Sequence, residues 1–388
     1  MDEKINNILN RGVENIIPDK KSLENLLNSG KILNIYLGID PTAVKIHIGH
    51  AVLLRKLQTF ADLGHNVTFL VGDFTALIGD TSDKNSERPS LTSDEIKENF
   101  KTYKSQAQKF LDFSKVQIKF NSEWLSKLTF EEIVKLCQNF SVGDFVSREL
   151  IRNRLQSGKR VALHEFLYPV MQGYDSLTLD TDIQIGGTDQ TFNMQAGRTL
   201  LKNIKNKESF VLSHGFLNGT DGQKMSKTSG NAIWIEDAPN DIFGKVMALS
   251  DTEIINYFTL ATNLTFEEIE TKKQNLNDGS NPMDLKKELA WIITRDLYTL
   301  EAADEARSHF ENTFQKKSPA YTQELKLKEN LVETIAQIES IGSITNAKRL
   351  IKDGAVDVND ETITDPSYVI KTSDNLKIGK KIFAKVVN

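Results

Sequence analysis

The 388-residue sequence predicts an α/β protein in which a parallel-sheet domain is followed by an α-helical domain and a small α+β domain. Three observations predict this fold class. Two short apolar segments, residues 34–39 and 66–72, enclose a helical pattern, as in the βαβ unit of a parallel sheet. Strand patterns nearly disappear between residues 235 and 328, where apolar residues recur at helical spacing. Short helix and strand patterns return in residues 329–388.

Composition and charge restrict the class of protein. Hydrophobic residues make up 39% and charged residues 26% of the chain, as in ordinary globular proteins. The net charge of -5 provides no overall attraction to nucleic acid, so RNA contacts must come from local basic groups. The single cysteine, Cys137, excludes an intramolecular disulfide. Because no signal sequence and no apolar run near 18 residues is present, we expect a cytoplasmic protein with no membrane partner.

The loop after the first strand has the features of an anion site. An Asp-Pro-Thr sequence at residues 40–42 ends the strand pattern, and a helical pattern begins near His47. Backbone N–H groups at such a helix start attract bound anions. His47 and His50 lie at this entrance, and Gly49 between them lets a flat group approach the backbone. Two partly buried histidines at a helix cap are the alternative.

A second polar loop follows the next predicted strand. Because the carboxyl ends of parallel strands meet at one edge of a sheet, we expect this loop near the first. Lys84 and Arg88 could hold phosphate oxygens, and Asp80 could pair with an ammonium group. A loop that is merely solvated is the alternative.

A later helix combines a phenol, an amide and a carboxylate on one face. Pro169 predicts that this helix begins near Tyr168, since proline is favoured in the first turn. Gln172 and Asp175 then share a face with Tyr168. These groups suit a small zwitterionic ligand, with a buried polar network as the alternative.

Two further segments carry polar groups to the same edge. Residues 182–189 predict a strand ending in a Gly-Gly turn, with Asp189 and Gln190 at its carboxyl end. In residues 221–231, Lys224 and Lys227 stand three apart beside hydroxyl residues and could surround phosphate oxygens as charge develops on them. Alone, such a lysine-rich loop is usually only solvated.

The remaining segments are less specific. Residues 1–30 predict two short helices, and residues 94–160 predict a largely helical, charged insertion outside the sheet. Two basic groups occur near the C-terminus and could hold RNA phosphates. They are Lys348, Arg349 and Lys352 on one helical face, and Lys377, Lys380, Lys381 and Lys385.

The motifs together resemble one enzyme family. HIGH at residues 47–50 and KMSKT at residues 224–228 resemble the paired HIGH and KMSKS motifs of class I aminoacyl-tRNA synthetases. The phrases YLGIDPT, GDFTALIGDTS, YPVMQGYD, QIGGTDQ and DGQKMSKTSGN resemble bacterial tyrosyl-tRNA synthetases. AKRLIKDGAVDVND is similar to the alpha-L RNA-binding motif appended to those enzymes. The resemblance covers nearly the whole chain.

The resemblance implies a domain organisation and an activity. It implies a Rossmann-like catalytic domain over residues 1–234 with a helical insertion near 94–160, an α-helical anticodon-binding domain over 235–328 and an alpha-L type RNA-binding domain over 329–388. The implied activity is that of a tyrosine–tRNA ligase, which forms tyrosyl-adenylate from tyrosine and ATP and then charges tRNA(Tyr). ATP with Mg²⁺ is expected as a substrate, with no protein metal site and no tightly bound cofactor. A homodimer is implied as well.

The resemblance also implies roles for individual residues. Those implied to bind tyrosine are Tyr36, Asp80, Tyr168, Gln172, Asp175 and Gln190. Those implied to bind ATP are Gly38, Asp40, His47, Gly49, His50, Gly187, Asp189, Lys224, Met225 and Lys227. The catalytic groups, which would hold the triphosphate as it becomes pyrophosphate, are Thr42, His47, Lys84, Arg88, Lys224 and Lys227. The RNA-binding residues are Lys348, Arg349 and Lys352.

Three alternatives remain at this point. A tryptophanyl-tRNA synthetase shares the fold, but is not expected to place Tyr36 and Asp175 together. A catalytically inactive, synthetase-derived RNA-binding protein is disfavoured by the presence of both phosphate motifs. A small-molecule adenylate-forming ligase has no use for RNA-binding domains.

Overall fold

The structure is a computed structural model. It describes residues 3–42, 44–80, 92–225, 230–315, 321, 323–379 and 382–388. The chain forms two compact units, residues 1–303 and 304–388.

The first unit is built on a six-stranded sheet in its described residues. The strands are β1 (Val13–Ile17), β2 (Asn34–Ile39), β3 (Asn66–Val71), β4 (Val116–Phe120), β5 (Ile183–Gly187) and β6 (Phe210–His214). Their order is β1-β6-β5-β2-β3-β4, and all neighbouring pairs are parallel except β1 with β6. The predicted parallel sheet is therefore confirmed. From β2 the chain continues outward through β3 and β4, whereas β5 and β6 lie on the other side of β2. The strand order therefore reverses between β2 and β5, and ligands bind at such a reversal in open α/β sheets.

Helices surround this sheet. They are α1 (Glu3–Asn10), α2 (Lys20–Leu27), α3 (Ile48–Asp62), α4 (Thr75–Ile78), α5 (Ser93–Ala107), α6 (Ser122–Leu125), α7 (Phe130–Cys137), α8 (Val142–Val146), α9 (Glu149–Gln156), α10 (His164–Thr178) and α11 (Thr191–Lys205). A 3₁₀ turn, Thr188–Gln190, links β5 to α11. The core between the layers contains fully buried side chains such as Phe60 and Phe69.

Both edge strands of the sheet correct a prediction. Residues 1–30 contain β1 as well as two helices, and residues 94–160 contain β4. β1 pairs with a strand almost 200 residues away, for example Ile17 with Val211. A short segment whose pairing partner is so distant has little local signal.

The start of α10 is a second correction. The helix begins at His164, so Pro169 lies in its interior and not in its first turn. Glu165 fixes the earlier start: its carboxylate accepts the N–H of Ala162 at 2.8 Å and pairs with buried Arg154 at 2.6 Å. These buried charge-assisted hydrogen bonds hold the first turn of α10 in place. The sequence has no capping residue there that would have indicated the helix start.

A buried lysine joins α3 to the N-terminal helix. Lys56 is only 4% exposed, and its ammonium donates to the carbonyls of Ile8 and Arg11 at 3.2 and 3.1 Å and to that of Asn7. It therefore satisfies carbonyl groups left open at the end of α1. Burial, together with the nearby Arg11 guanidinium, lowers the pKa of Lys56 to about 7.

The chain continues as helices after the sheet. They are α12 (Pro239–Met247), α13 (Ile254–Ala261), α14 (Phe266–Asn277), α15 (Pro282–Leu297) and α16 (Leu300–Phe310), with a 3₁₀ turn at Asp251–Glu253 and a π-helical turn at Glu311–Gln315. The helical prediction for residues 235–328 is confirmed over the described residues 239–315. Gln323–Lys326, inside the same predicted region, instead forms a strand, because it pairs in parallel with residues 384–387. No helix among them is both long and apolar enough to cross a membrane.

The second unit contains its own small sheet. Its elements are β7 (Gln323–Lys326), α17 (Leu331–Ala336), α18 (Ile344–Lys352), β8 (Val356–Val358), β9 (Glu361–Ile363), β10 (Asn375–Ile378) and β11 (Ile382–Val387). The strand order is β7-β11-β10-β8-β9. Leu331, Ile335, Ile351 and Leu376 form part of one buried cluster between helices and sheet. The predicted α+β class is confirmed.

Candidate active site

The candidate site lies at the carboxyl ends of β2, β3 and β5. Asp40 follows β2, Gly72 follows β3, and Asp189 follows β5. Because these strands are parallel, the three loops meet at one edge. This brings together the polar residues that the sequence predicted from separate segments.

Asp40 is the centre of a hydrogen-bond network. Its two carboxylate oxygens accept from the Tyr168 hydroxyl at 2.8 Å and the Thr75 hydroxyl at 2.7 Å. Asn121 in turn donates to Thr75 Oγ1 at 3.0 Å. A Cβ on Gly72 would lie 1.9 Å from Asp40 Oδ1, so only glycine fits beside this carboxylate. The network therefore holds the Tyr168 hydroxyl at the carboxyl end of β2.

Asp175 is a buried carboxylate held by two donors. Trp124 Nε1 donates to Oδ1 at 2.7 Å, and Asn121 Nδ2 donates to Oδ2 at 3.2 Å. Burial raises the pKa of Asp175 to about 8, although both hydrogen bonds lower it; the nearby carboxylates of Asp40 and Asp73 raise it further. A buried carboxyl group whose pKa is shifted this strongly marks a candidate functional residue.

The Tyr36 hydroxyl is buried close enough to Asp175 for that carboxylate to act on its pKa. It lies 2.8 Å from Ser176 Oγ and 3.4 Å from the carbonyl of Gln172. Ser176 Oγ also donates to Gln184 Oε1 at 3.0 Å. Burial raises the pKa of Tyr36 well above its usual value, and the Asp175 charge adds to this, so the phenol stays protonated.

Asp80 and Gln190 connect β3 and β5 across the site. Gln190 Nε2 donates to Asp80 Oδ2 at 2.7 Å, and Asn193 Nδ2 donates to Gln190 Oε1 at 3.1 Å. Asp80 is buried. Together with Asp40 it places two carboxylates near the Tyr168 hydroxyl, and both raise the pKa of that phenol beyond the effect of burial.

The two motif histidines stack at the start of α3. His47 is the N-cap residue, and its ring centroid lies 3.8 Å from that of His50. A Cβ on Gly49 would lie 2.9 Å from His47 Nδ1. Glycine is therefore required for the close approach of the His47 ring to the helix backbone.

Backbone pairing joins this helix start to the segment after the lysine motif. Ile48 N–H donates to the Ile233 carbonyl at 2.9 Å, and Ile235 N–H donates to the Ile46 carbonyl at 3.1 Å. The Trp234 ring centroid is 6.0 Å from that of His47. The segment that follows the lysine motif is thus paired with the start of α3, about 180 residues earlier in the sequence.

Lys224 points back to the end of β5. Its ammonium is 3.2 Å from Asp189 Oδ2 and 4.0 Å from the centre of the Phe216 ring. Met225 is buried, and its N–H donates to the Leu217 carbonyl at 3.3 Å. In its described residues the site thus combines the Lys224 cation, two imidazoles in contact and several carboxylates, which suits a nucleotide bound together with an amino acid.

Family models match both units of the chain. The model described as tRNA synthetases class I (W and Y) matches residues 28–315, and the S4 domain model matches residues 331–376. The chain belongs to the class I tRNA synthetases. The first match spans most of the chain and includes every described candidate residue for tyrosine and ATP binding.

Full-length relatives of this synthetase carry a single activity in their names. The tyrosine–tRNA ligase of Carboxydothermus hydrogenoformans is 43% identical, over 98% of this chain and 97% of the relative. That of Thermotoga maritima is 38% identical, over 98% and 96%. Among solved structures, tyrosyl-tRNA synthetase from Archaeoglobus fulgidus complexed with L-tyrosine has a TM-score of 0.62 at 22% identity, covering 79% of this chain and 100% of that one. This structural likeness supports the fold.

Most of the predicted site residues that the structure describes meet at this edge, and Gly38, Thr42 and Gln172 can be placed individually. Gly38 lies within β2, and Thr42 N–H donates to the Asp40 carbonyl at 2.8 Å in the following loop. Gln172 lies on α10 with Tyr168 and Asp175, as predicted. Lys84, Arg88 and Lys227 lie outside the described residues.

Several side chains of the site were not predicted from the sequence. They are Thr75, Asn121, Trp124, Ser176, Gln184, Asn193, Phe216 and Trp234. Asn121 directly follows β4, so the strand-end rule that found Asp40 finds it as soon as β4 is recognised. The others become visible only through packing between distant segments.

The predicted RNA-binding face lies on α18 of the second unit. Lys348, Arg349 and Lys352 are exposed, while Ala347 and Ile351 on the same helix are buried. Within the second basic group, Lys377 pairs with Asp357 at 2.7 Å, and Lys380 and Lys381 lie outside the described residues. The α18 face is thus the better-defined basic surface.

Proposed function

We infer that this chain is a tyrosine–tRNA ligase, which activates tyrosine with ATP and then charges tRNA with it. The observation that carries this inference is the buried Asp175, held by Trp124 and Asn121 beside the Tyr36 phenol. A buried carboxylate and phenol at one end of a pocket suit a ligand that ends in a hydroxyl group. The activity named for the full-length relatives agrees with this chemistry.

In this proposal the tyrosine hydroxyl lies between Tyr36 and Asp175. Its ammonium group is placed at the opposite end, near Asp80 and Tyr168, with Gln172 and Gln190 beside it. The carboxylates of Asp80 and Asp40 supply the negative charge that an ammonium group needs. Phenylalanine leaves the buried hydroxyl partners unpaired, a rule for which enzymes of this family are the standard example.

The nucleotide lies across the ends of β2 and β5. We place the adenosine at Asp189, Gly187 and His50, with Gly38 and Gly49 leaving room for it. Asp40 and Met225 border this position. The triphosphate then reaches Thr42, His47 and Lys224, and the proposal adds Lys84, Arg88 and Lys227. Mg²⁺ arrives bound to the phosphates and water.

The chemistry needs no protein nucleophile. The tyrosine carboxylate attacks the α-phosphorus, and charge develops on the departing pyrophosphate. His47 and the lysines stabilise that charge, while the pocket positions the carboxylate. A hydroxyl of the 3′-terminal ribose of the tRNA then attacks the tyrosyl carbonyl carbon of the adenylate, and AMP leaves.

The tRNA is bound outside this site. We propose that Lys348, Arg349 and Lys352 contact its phosphates, which agrees with the match to an S4 domain. The division into a catalytic domain to residue 234, an anticodon-binding helical domain over 235–328 and an RNA-binding domain from 329 stays a prediction.

A homodimer in the cytoplasm completes the proposal. Large apolar side chains are exposed in the segment between β4 and α10: Phe130 at 81%, Val142 at 75% and Leu163 at 78%. We propose that these side chains form one apolar patch and that a second copy of the chain covers it. Light scattering on Phe130→Ser, expected to shift mass toward the monomer, tests it. The cytoplasmic location rests on the single cysteine.

The two-step reaction can be tested by isolating its intermediate. The protein incubated with tyrosine, ATP and Mg²⁺ but no tRNA should retain one tyrosyl-adenylate per site through gel filtration. Addition of tRNA should then discharge it as tyrosyl-tRNA. Failure to form the adenylate in the absence of tRNA contradicts the proposed mechanism.

A further inference from the structure

Lys224 contacts two groups that a nucleoside would also use. Its ammonium lies 3.2 Å from the Asp189 carboxylate and 4.0 Å over the Phe216 ring. The first contact is an ion pair, and the second is in the range of a favourable cation–π interaction. Phe216 is exposed, and the Lys224 and Asp189 side chains are 45% and 21% exposed. All three groups are therefore accessible to a ligand.

Phe216 and Asp189 border the same space at the end of β5. A Cβ on Gly187 would lie 3.0 Å from the Phe216 ring and 2.6 Å from Asp189 Oδ1. The glycine thus permits the ring and the carboxylate to converge on one strand end. An aromatic face stacks with a purine, and a carboxylate accepts from ribose hydroxyls. Together they have the chemistry of a nucleoside subsite.

We propose that Lys224 acts as an internal latch on this subsite, and that bound ATP exchanges with it. Adenine replaces the ammonium on Phe216, ribose replaces it on Asp189, and the released ammonium moves to the phosphates. The proposal rests on the ATP site proposed above and adds Phe216 as a positioning residue. Nucleotide binding then brings the lysine to the reacting phosphates.

The latch predicts opposite effects of Lys224 on two related ligands. Adenosine must displace the ammonium from both contacts and offers it no phosphate in return. ATP displaces it as well, but its phosphates supply a stronger partner for the cation. A ligand shifts such an equilibrium only by its differential affinity for the two states. Removing the ammonium should therefore help adenosine and harm ATP.

Lys224→Met separates these effects. We expect adenosine to bind about three- to thirtyfold more tightly, the range for loss of one partly exposed ion pair and one cation–π contact. ATP should bind more weakly, and adenylate formation should be slower. Ligand-observed NMR titration measures the weak adenosine affinity. Lys202→Met is the charge-matched control, because Lys202 pairs with Glu208 on the surface of α11.

A second variant tests the role of the ring. Phe216→Leu removes the aromatic face in both the latched and the nucleoside-bound state. It should therefore weaken adenosine binding more in the Lys224→Met background than in the wild type, where loss of the latch offsets loss of stacking. Equal losses in both backgrounds remove Phe216 from the proposal.

The outcomes also separate the latch from the ATP site. Unchanged or weaker adenosine binding by Lys224→Met overturns the latch, while ATP binding by the wild type leaves the ATP site intact. If the wild type binds neither ATP nor adenosine, the ATP site itself is wrong, and the latch with it.

Discussion

Replacing Asp175 by asparagine tests the amino-acid pocket at its most buried charge. In the wild type one carboxylate oxygen accepts a hydrogen bond from Trp124, and the other accepts one from Asn121. An amide has only one acceptor oxygen, so one of these donors must face an NH₂ group. The variant also loses the charged acceptor for the tyrosine hydroxyl.

The expected magnitude follows from that lost bond. A hydrogen bond to a charged group contributes about 1.5–3 kcal/mol. Its loss should weaken tyrosine binding about ten- to a hundredfold, since about 1.4 kcal/mol corresponds to a factor of ten. The KM for ATP should change by less than about twofold, because the nucleotide lies at the other end of the site.

The wild-type protein should also show a characteristic pH dependence. Because the pKa of Asp175 is raised to about 8, the empty pocket holds mostly the neutral carboxyl group at pH 6–7. A phenol that donates to Asp175 needs the carboxylate, so tyrosine affinity should rise from pH 6 to pH 8. Asp175→Asn should lack this rise, and so should phenylalanine binding by the wild type.

Calorimetric titration with tyrosine and phenylalanine, together with pyrophosphate exchange, measures these effects. Asp278→Asn is the matched control, because Asp278 is an exposed residue at the end of α14. Thermal melting shows whether Asp175→Asn is folded. A folded variant with an unchanged KM for tyrosine would refute the assignment. Equal losses for tyrosine and phenylalanine would mean that Asp175 acts on a shared part of the ligand or on the pocket as a whole.

Three further predictions concern other parts of the chain. Gly49→Ala should slow adenylate formation about ten- to a hundredfold with little change in tyrosine binding, since its Cβ would displace the His47 ring; unchanged single-turnover rates contradict this. For Lys56, with a pKa of about 7 in the folded chain, the unfolded chain binds more protons between pH 7 and 10.5. The unfolding free energy of the wild type, measured by urea titration, should therefore rise with pH relative to that of Lys56→Met. If the two proteins show the same pH dependence, the pKa of Lys56 is not lowered. Alanine at Lys348, Arg349 and Lys352 should reduce the salt slope of tRNA binding by about two to three, leaving pyrophosphate exchange unchanged.

The parallel sheet could be predicted because its central strands are continuous apolar segments followed by polar loops. β2, β3 and β5 have this local signal. β1 and β4 do not, because each lies at an edge of the sheet and its place there depends on a partner that is distant in sequence. The start of α10 was mispredicted for a similar reason, since the Glu165–Arg154 pair that fixes it is a tertiary contact.

The candidate site shows the same division. Residues at strand ends, such as Asp40 and Asp189, follow from a topological rule that the sequence can express. Trp124 and Ser176 orient the predicted Asp175 and Tyr36 through contacts between separate segments, so no local pattern marks them. Asp40 was predicted to bind ATP. In the structure it accepts hydrogen bonds from Tyr168 and Thr75, which connect it to the amino-acid side of the site as well.

The central claim is that one pocket selects tyrosine and activates it without help from RNA. Pyrophosphate exchange measured on one preparation with tyrosine, phenylalanine and tryptophan, with and without tRNA, tests it most directly. We predict ATP–pyrophosphate exchange that depends on tyrosine, is far weaker with the other two amino acids, and proceeds without tRNA. Equal exchange with tryptophan, or exchange that appears only when tRNA is added, would contradict the account.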